Sequence, residues 1–396
     1  MNFIPKRRQA SKKVCTFAGD MKKGFLIVVA IVVVVLVVAT IGGSFYMIDY
    51  ALAPDAERTD TAKSFRLLVE KHPEVKPWLD SLNQCGALRD TFINMPTGER
   101  HHGYFIRQES GDRSQETGER NEETGDGRKE RKSPVAIVVH GWRDNAIKFM
   151  MIARIYEQAG CNVLMPDLHA HGLSEGEAVQ MGWKDRKDVL HWMEVASQLF
   201  GTNDFIVHGV SMGAATTMCV SGEKMPECVK SVRFIEDCGY TSVWDEFSYE
   251  LKEEFGLSDF PLLYATSLLC KIKYGWSFGE ASPVKQVRKC PYPMLFIHGD
   301  NDTFVPSEMV HPLYEAKQGE KALWITKGTE HARSYTDYRE EYTQRVREFI
   351  GACSCVPSVA SGKAERRPPL TPPRSALPLG LSKNLGGESR GGSDHP

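Results

Sequence analysis

Short apolar runs alternate with segments of helical periodicity along the part of the chain that follows residue 134. The apolar runs lie at residues 135–139, 162–165, 205–207, 232–235, 294–297 and 322–325. Apolar positions at helical spacing fill the segments between and after them, at residues 146–158, 185–199, 212–220, 307–316 and 335–350. Continuous apolar strands separated by helices are typical of a parallel sheet that is covered on both faces. The pattern therefore predicts an α/β fold with a mostly parallel central sheet and helices on both faces.

The segment before residue 134 is patterned differently. Residues 88–93 and 102–106 have the composition of strands, and Pro-Thr-Gly at residues 96–98 favours a turn, so a hairpin is predicted. Ahead of it, residues 60–82 carry a helical pattern that is interrupted around His72 and Pro73. We expect residues 49–84 to form a helical N-terminal segment, either packed on the domain or standing as a stalk.

Three further segments interrupt or follow the alternation of predicted strands and helices. Residues 240–285 are rich in aromatic side chains and too long for an ordinary connection, so we expect a helical lid inserted in a domain that spans residues 85–352. Residues 109–132 are dense in Glu, Arg, Gly and Ser, which predicts a mobile charged insertion. Residues 353–396 are rich in Pro, Gly, Ser and Arg, which predicts a disordered tail.

The N-terminus combines a basic segment with a long apolar run. Basic side chains are concentrated in residues 1–23, and residues 25–41 are apolar except for Thr40. Residues 24–48 are therefore predicted to form a transmembrane signal-anchor. Because basic flanks stay in the cytoplasm, residues 1–23 should be a cytoplasmic tail and the domain should lie outside the cytoplasm. A cleaved signal peptide, which would give a secreted protein, is the alternative, although no A-x-A site follows the run.

Composition and charge exclude some partners. The 396 residues are 41% apolar and 25% charged, as in globular proteins. The formal net charge of −2 gives no reason to expect a nucleic acid as partner. The ten cysteines are scattered without a C-x-x-C pair, so a structural zinc site is not expected.

One pentapeptide carries the strongest chemical signal. Residues 209–213 read G-V-S-M-G and directly follow an apolar run, which fits the G-x-S-x-G turn that holds out a serine between a strand and a helix. The flanking glycines are needed because the serine backbone is strained and neighbouring chain passes close by. Ser211 is therefore the candidate nucleophile.

A serine becomes nucleophilic when a base takes its proton and an acid orients that base. His331, in the loop after the last predicted strand, is the candidate base. Asp302, just past the preceding strand, is the candidate acid. Asp300 is its nearest rival, although Gly-Asp-Asn is a turn composition. Glu236 and Asp237, at the end of the strand before that, are further alternatives.

The oxyanion of such a reaction needs backbone N–H donors that are fixed in advance. One should come from Met212, the residue after the candidate nucleophile. The other should come from Trp142, in the H-G-W loop that follows the run at residues 135–139. These two residues are the candidate oxyanion hole.

His169 and His171 are two residues apart and could share a metal ion. The surrounding sequence, D-L-H-A-H-G-L-S at residues 167–174, fits instead the D-x-R-G-H-G-x-S loop of many α/β-hydrolases, with His and Ala in place of Arg and Gly. No D-H follows to complete a dinuclear metal motif. We therefore expect a structural loop, with neither a metal ion nor a cofactor.

Together these motifs resemble the α/β-hydrolase superfamily, in particular its serine aminopeptidase-like and monoacylglycerol-lipase-like branch. The resemblance covers about residues 85–352, and the chain order Ser, Asp, His is that of this superfamily. It implies the α/β-hydrolase fold and a Ser211–Asp302–His331 triad. Members of the branch cleave esters, lipid esters, amides or N-terminal peptides with the same machinery, so the resemblance does not choose the substrate.

We expect a carboxylic ester hydrolase, with a serine aminopeptidase or amidase acting on short peptides as the alternative. A non-catalytic binding module on the same fold is the alternative from another class. The lid contains acidic residues that could hold a peptide amino terminus, but we expect a solvated helix face: Asp245, Glu246, Glu250, Glu253 and Glu254. If the anchor only tethers the domain, a chain that begins at Ala51 should be soluble and keep its activity.

Overall fold

The structure is a computed structural model that describes residues 7–108 and 132–351, with side chains from residue 23 onward. Except for Lys132, the mobile insertion predicted at residues 109–132 lies outside the described residues. The disordered tail predicted at residues 353–396 also lies outside them, as do the side chains of the predicted cytoplasmic tail other than Lys23.

One sheet of eight strands forms the centre of the described chain. The strands are β1 (Leu88–Asn94), β2 (Arg100–Ile106), β3 (Val135–Val139), β4 (Asn162–Pro166), β5 (Asp204–Val210), β6 (Ser231–Asp237), β7 (Met294–Gly299) and β8 (Lys321–Thr326). Their order is β1-β2-β4-β3-β5-β6-β7-β8. The β1–β2 and β2–β4 pairs are antiparallel, and the other pairs are parallel. The predicted hairpin and the mostly parallel sheet are both confirmed.

Helices surround the sheet. They are α1 (Arg7–Leu52), α2 (Thr61–Lys71), α3 (Lys76–Cys85), α4 (Met150–Gln158), α5 (Asp185–Phe200), α6 (Met212–Ser221), α7 (Val243–Phe255), α8 (Leu262–Tyr274), α9 (Pro283–Val287), α10 (Val310–Ala316), α11 (Ser334–Asp337) and α12 (Arg339–Phe349). Short 3-10 turns lie at Pro73–Val75, Ala146–Phe149 and Ser307–Met309.

Strand β3 shows why its sequence is apolar at every position. Val135, Ile137 and Val139 pack in one core cluster with side chains of α5 and α6. Ala136 and Val138 pack in a second cluster with side chains of α4 and α12. Successive side chains of a strand point to opposite faces, so the two clusters are the two covered faces of the sheet. Helices on both faces are therefore confirmed.

The N-terminal segment is part of the domain and is not a stalk. Leu68, Val75, Leu79 and Leu82 are buried and belong to the cluster that contains Val138. The predicted interruption at His72 and Pro73 is present as the 3-10 turn between α2 and α3. Burial of these four apolar side chains holds the segment against the sheet.

Helix α1 is the one helix of the described chain that is long and apolar enough to cross a membrane, over Lys23–Leu52. The large apolar side chains of its first part are exposed, whereas Ile48 and Leu52 are 2% and 0% exposed and belong to the domain core. The predicted boundary between an anchor at residues 24–48 and the segment after it therefore falls inside one continuous helix. The last turns of α1 are part of the domain.

The lid predicted at residues 240–285 consists mainly of two helices, α7 and α8. The hydroxyl of Ser242, which precedes α7, accepts the Asp245 N–H at 3.0 Å and caps its start, and Gly256, in the left-handed conformation, follows its last residue. The final residues of the predicted lid enter α9, which packs against α6. A Cβ added to Gly222, after α6, would lie 2.4 Å from Gln286 Oε1 of α9. Helix α9 therefore belongs to the body of the domain.

Candidate active site

Ser211 lies at a strained turn between β5 and α6. Its φ of 58° and ψ of −123° place it in a region that residues with a side chain rarely adopt. A Cβ added to Gly209 would lie 1.9 Å from the Gly213 carbonyl oxygen, and one added to Gly213 would lie 2.1 Å from the Val139 carbonyl oxygen. Both positions therefore require glycine, which is the physical reason for the G-x-S-x-G spacing.

The structure brings Ser211, His331 and Asp302 together. His331 Nε2 lies 2.9 Å from Ser211 Oγ, and His331 Nδ1 lies 2.8 Å from Asp302 Oδ2. Asp302 follows β7, and His331 follows β8. All three residues thus lie beyond the carboxyl ends of parallel strands, where ligands bind in open α/β sheets.

Asp302 is held as a carboxylate. Its Oδ1 accepts the N–H groups of Phe304 and Val305 at 3.0 and 2.9 Å. Burial alone would raise the pKa of Asp302, but hydrogen bonds from His298 and His331 outweigh it and lower the pKa to about 2. Because the carboxylate only accepts, His331 Nδ1 must donate to it, and Nε2 is then free to accept from the Ser211 hydroxyl. This tautomer is the one that a general base needs.

The rival carboxylates have other partners. Asp300 accepts the Gly328 N–H at 2.5 Å and lies 3.1 Å from Lys327 Nζ, so it is a turn residue. Asp237 accepts the Tyr342 hydroxyl at 3.0 Å, and Glu236 accepts the Gly239 N–H at 3.0 Å. Among the described residues, Asp302 is the carboxylate within hydrogen-bond distance of the His331 ring.

The Asp302→Asn substitution is expected to lower turnover by about 10⁴, because an amide at this position stabilises the wrong tautomer of His331. The Asp300→Asn substitution is the matched control and should leave turnover close to that of the wild type. Measurement of kcat on one soluble ester with both variants checks this. If the Asp300→Asn variant lost its turnover while the Asp302→Asn variant kept it, Asp302 would not be the carboxylate that orients His331.

A buried polar chain lies beneath the serine, and no local sequence pattern predicted it. His208 Nδ1 accepts the Tyr156 hydroxyl at 2.8 Å, and His208 Nε2 donates to the Tyr342 hydroxyl at 2.9 Å. Tyr342 in turn donates to Asp237, whose other oxygen lies 3.2 Å from the Ser334 hydroxyl. Burial lowers the pKa of His208 to about 3, so the ring stays neutral. This network of hydrogen bonds connects β5, which precedes Ser211, to the helices that follow His331.

The candidate oxyanion donors lie beside Ser211. Met212 is the first residue of α6, so its N–H has no acceptor within the helix. The H-G-W loop also lies next to Ser211, since a Cβ added to Gly141 would be 3.5 Å from Ser211 Cβ. The next residue, Trp142, donates its indole N–H to the Ala51 carbonyl of α1 at 2.9 Å. The end of α1 thus holds the loop that carries one of the two donors.

The loop at residues 167–174 supports the same site. The Asp167 carboxylate accepts the Ala146 and Leu173 N–H groups at 2.8 and 3.0 Å. His171 Nε2 accepts the Arg143 N–H at 3.2 Å, next to Trp142. These contacts are those of a structural loop, as expected for His171.

His169 lies in a different group from His171. Ligand atoms of His101, His169 and Asp188 lie within 4.8 Å of one another, and this set could hold a metal ion. His101 Nδ1 is 4.0 Å from Asp188 Oδ2, and neither ring nitrogen of His101 has a hydrogen-bond partner among the described residues. A second such group, Cys238, Asp302 and His331, overlaps the candidate triad.

A cavity that is partly open to solvent lies over Ser211. The lid and the end of α1 both line the cavity, mainly with apolar side chains that include Met47, Tyr50, Ala51, Phe247, Leu251, Phe255, Leu262, Leu263 and Phe278. The lid therefore covers the candidate nucleophile, as predicted. The contribution of α1 was not predicted.

One wall of the cavity is acidic. Glu246, Glu250 and Glu254 follow one another at intervals of four residues on α7, and all three line the cavity. Glu246 is 3% exposed, and its Oε2 has no hydrogen-bond partner among the described residues. Burial raises the pKa of Glu246 and raises that of Glu250 to about 7. The expectation of a solvated face is wrong for the buried Glu246 and only partly met by the half-buried Glu250, whereas Asp245, Glu253 and Glu254 are exposed.

No protein-family model matches the chain. The uncharacterized protein YqkD of Bacillus subtilis (strain 168) is 32% identical over 216 residues, which are 54% of this chain and 70% of YqkD. The solved structure of the esterase Pf2001 of Pyrococcus furiosus is 20% identical with a TM-score of 0.50, over 67% of this chain and 91% of the esterase. An acylaminoacyl peptidase of Pyrococcus horikoshii is 17% identical with a TM-score of 0.46, over 67% and 40% of the two chains. The likeness to the esterase is one of fold.

Proposed function

Since the chain belongs to the family of YqkD and has the α/β-hydrolase fold, we propose that it is a serine hydrolase that cleaves carboxylic esters. The hydrogen-bond chain from Asp302 through His331 to Ser211 carries the proposal. The strained backbone of Ser211 adds support, because strain of this kind is typical of functional sites. A binding module on this fold would need neither feature.

The reaction proceeds through an acyl-enzyme. Ser211 Oγ attacks the ester carbonyl carbon while its proton moves to His331 Nε2, and the N–H groups of Met212 and Trp142 stabilise the oxyanion. The imidazolium gives this proton to the departing alcohol as the carbon–oxygen bond breaks. A water molecule then attacks the acyl-enzyme, with His331 again as the base, and the carboxylic acid leaves as the Ser211 hydroxyl is restored. Asp302 orients His331 and stabilises its charged form.

We further propose that α1 is a signal-anchor and that the hydrolase domain lies outside the cytoplasm. The exposed apolar side chains over residues 25–38 support a helix in contact with lipid. The basic residues at positions 6–8, 12, 13, 22 and 23 support a cytoplasmic N-terminus. Removal of a signal peptide is the alternative, and N-terminal sequencing of the mature protein distinguishes the two.

A fluorophosphonate probe tests the hydrolase proposal directly, because it forms a covalent bond only with an activated serine. We expect the purified protein to be labelled, the Ser211→Ala variant to remain unlabelled, and the Ser258→Ala variant, changed in the exposed lid loop, to be labelled like the wild type. Labelling that does not depend on Ser211 would contradict the proposal.

A serine aminopeptidase is the second candidate, and the acidic wall of the cavity favours it. Glu246 and Glu250 could pair with a substrate ammonium group, which would restore the charged carboxylates that burial disfavours. Turnover of nitrophenyl esters of increasing chain length, measured beside aminoacyl-nitroanilides, separates the candidates. We expect the esters to be cleaved faster. Faster cleavage of the anilides, lost in a Glu250→Gln variant, would establish the aminopeptidase instead.

A further inference from the structure

The lid helix α8 carries a row of exposed apolar side chains. Tyr264, Leu268 and Ile272 follow one another at intervals of four residues and are 56%, 61% and 74% exposed. Phe260, one interval earlier, is 75% exposed. Residues four apart lie on one face of a helix, and the ring of Phe260, which precedes α8, lies 6.0 Å from the Tyr264 ring, so these four side chains form a single surface, here called the α8 stripe. A contiguous apolar surface of this kind marks a site for a protein or a membrane.

The opposite face of α8 packs against the core of the domain. Leu263 and Cys270 are 4% and 0% exposed and belong to the domain core. The two charged side chains of the helix, Lys271 and Lys273, both lie in its last turn. Except at this end, α8 has no charged side chain, although its core face also holds the buried Thr266 and Ser267. The stripe is therefore an apolar face on the side of α8 that the domain leaves exposed.

The contacts between α8 and α1 indicate the level of α8 relative to the bilayer. The hydrocarbon core of a bilayer requires about 20 helical residues, so a span that starts at Phe25 ends near Ser44. Leu262, the first residue of α8, contacts α1 at this level, because a Cβ added to Gly43 would lie 3.0 Å from Leu262 Cδ1. Farther along both helices, Thr266 of α8 lines the cavity together with Met47 and Ala51 of α1, beyond the span. Helix α8 thus starts at the edge of the hydrocarbon and ends toward water.

The same two helices form the wall of the cavity over Ser211. Met47 and Ala51 of α1 line it together with Leu262 and Leu263 of α8. The cavity therefore shares these two helices with the exposed apolar surface. Transfer of an acyl chain from that surface into the cavity is favourable, because both are lined mainly by apolar side chains.

We propose that the α8 stripe lies in the headgroup layer of the bilayer beside α1, with its start at the edge of the hydrocarbon, and that the substrates are esters with a long acyl chain taken from that bilayer. This inference rests on the proposed function, since it names the substrates of the Ser211 site. Continuity of the stripe with α1 favours lipid over a partner protein as its occupant. Lys271 and Lys273 then lie at the level of the lipid headgroups, where basic side chains extend toward water.

The test compares a membrane-dissolved ester with a water-soluble one on the full-length protein in phosphatidylcholine vesicles. The substrates are 4-methylumbelliferyl palmitate, dissolved in the bilayer, and 4-methylumbelliferyl acetate. In the Leu268→Gln/Ile272→Gln variant we expect palmitate turnover to fall about tenfold, because apolar contact with the bilayer is lost, while acetate turnover stays within about twofold. Phe92→Gln, which changes an exposed apolar residue of β1, is the matched control and should leave both rates unchanged.

Unchanged palmitate turnover in the double variant would overturn the inference. An equal loss of palmitate turnover in the double variant and in the Phe92→Gln variant would overturn it as well. Loss of a dimer in the double variant, with both rates kept, would show that the stripe is a protein interface. A wild-type protein that cleaves neither ester and escapes fluorophosphonate labelling would contradict the proposed function instead.

A second measurement does not depend on activity. The Phe260→Trp substitution adds a tryptophan at the start of the α8 stripe, and lipids with brominated acyl chains quench tryptophan that lies in the bilayer. We expect clearly stronger quenching than in the wild type. The absence of additional quenching would show that the stripe lies outside the bilayer, even if the double variant had lost its fold.

Discussion

Replacement of Ser211 by alanine is expected to lower kcat on soluble esters by about 10⁶, close to the background that binding and the oxyanion donors sustain. The His331→Ala substitution should cost about as much, because Ser211 Oγ then has no base for its proton. The double variant should be no slower than either single variant, since the two groups act as one unit.

The measurement is kcat for the three variants on one nitrophenyl ester, with thermal unfolding to show that each remains folded. His311→Ala, which changes an exposed histidine of α10, is the matched control and should retain full activity. Losses that multiply in the double variant would mean that Ser211 and His331 act independently. In that case the 2.9 Å contact between them would not be the catalytic one.

Removal of the chain through Leu52 is expected to destabilise the domain by at least about 4 kcal/mol, because Ile48 and Leu52 are both buried and loss of each such side chain costs about 2–5 kcal/mol. This is a large part of the stability of a typical domain. The part of the cavity wall that α1 supplies would be lost as well, together with the acceptor of the Trp142 indole N–H. A chain that begins at Ala51 would keep Leu52 and the Ala51 carbonyl but lose Ile48, so we expect it to be less stable than the full chain, and its activity stays a prediction.

A chain that begins at Ser44 is the matched control. It lacks the exposed apolar span but retains Met47, Ile48 and Ala51, so we expect it to keep its fold and its turnover of soluble esters. Chains that begin at Ser44 and at Ala53 are compared by thermal unfolding and by kcat/KM for a short nitrophenyl ester. Equal stability and activity of the two chains would show that the end of α1 is only a tether.

The fold was largely predictable because its signals are local. The interior strands of the sheet are buried on both faces, so apolar runs such as residues 135–139 mark them directly. Ser211 was predictable for a related reason: the glycines at positions 209 and 213 are required by contacts within one turn and with the neighbouring strand β3. Asp302 and His331 follow strands, where loops of an α/β sheet place functional groups.

The features that were not predicted depend on contacts between distant parts of the chain. The hydrogen bond from Trp142 to Ala51 and the one between His208 and Tyr342 leave no local periodicity. Glu246, Glu250 and Glu254 have the spacing of any helix face, and only the fold decides whether that face meets solvent or the cavity. A polar face is exposed in most helices, which is why the solvated interpretation was preferred.

The position of the end of α1 in the cavity wall has a consequence for biosynthesis. Residues 47–51 emerge from the ribosome long before Ser211, Asp302 and His331, since chains are made from the N-terminus and domains fold as they appear. With α1 inserted as proposed, one wall of the cavity is already at the membrane surface when the rest of the domain folds against it. A chain that fails to be targeted would fold with its long apolar helix in water. The helix that delivers the chain to the membrane thus also supplies part of the cavity wall.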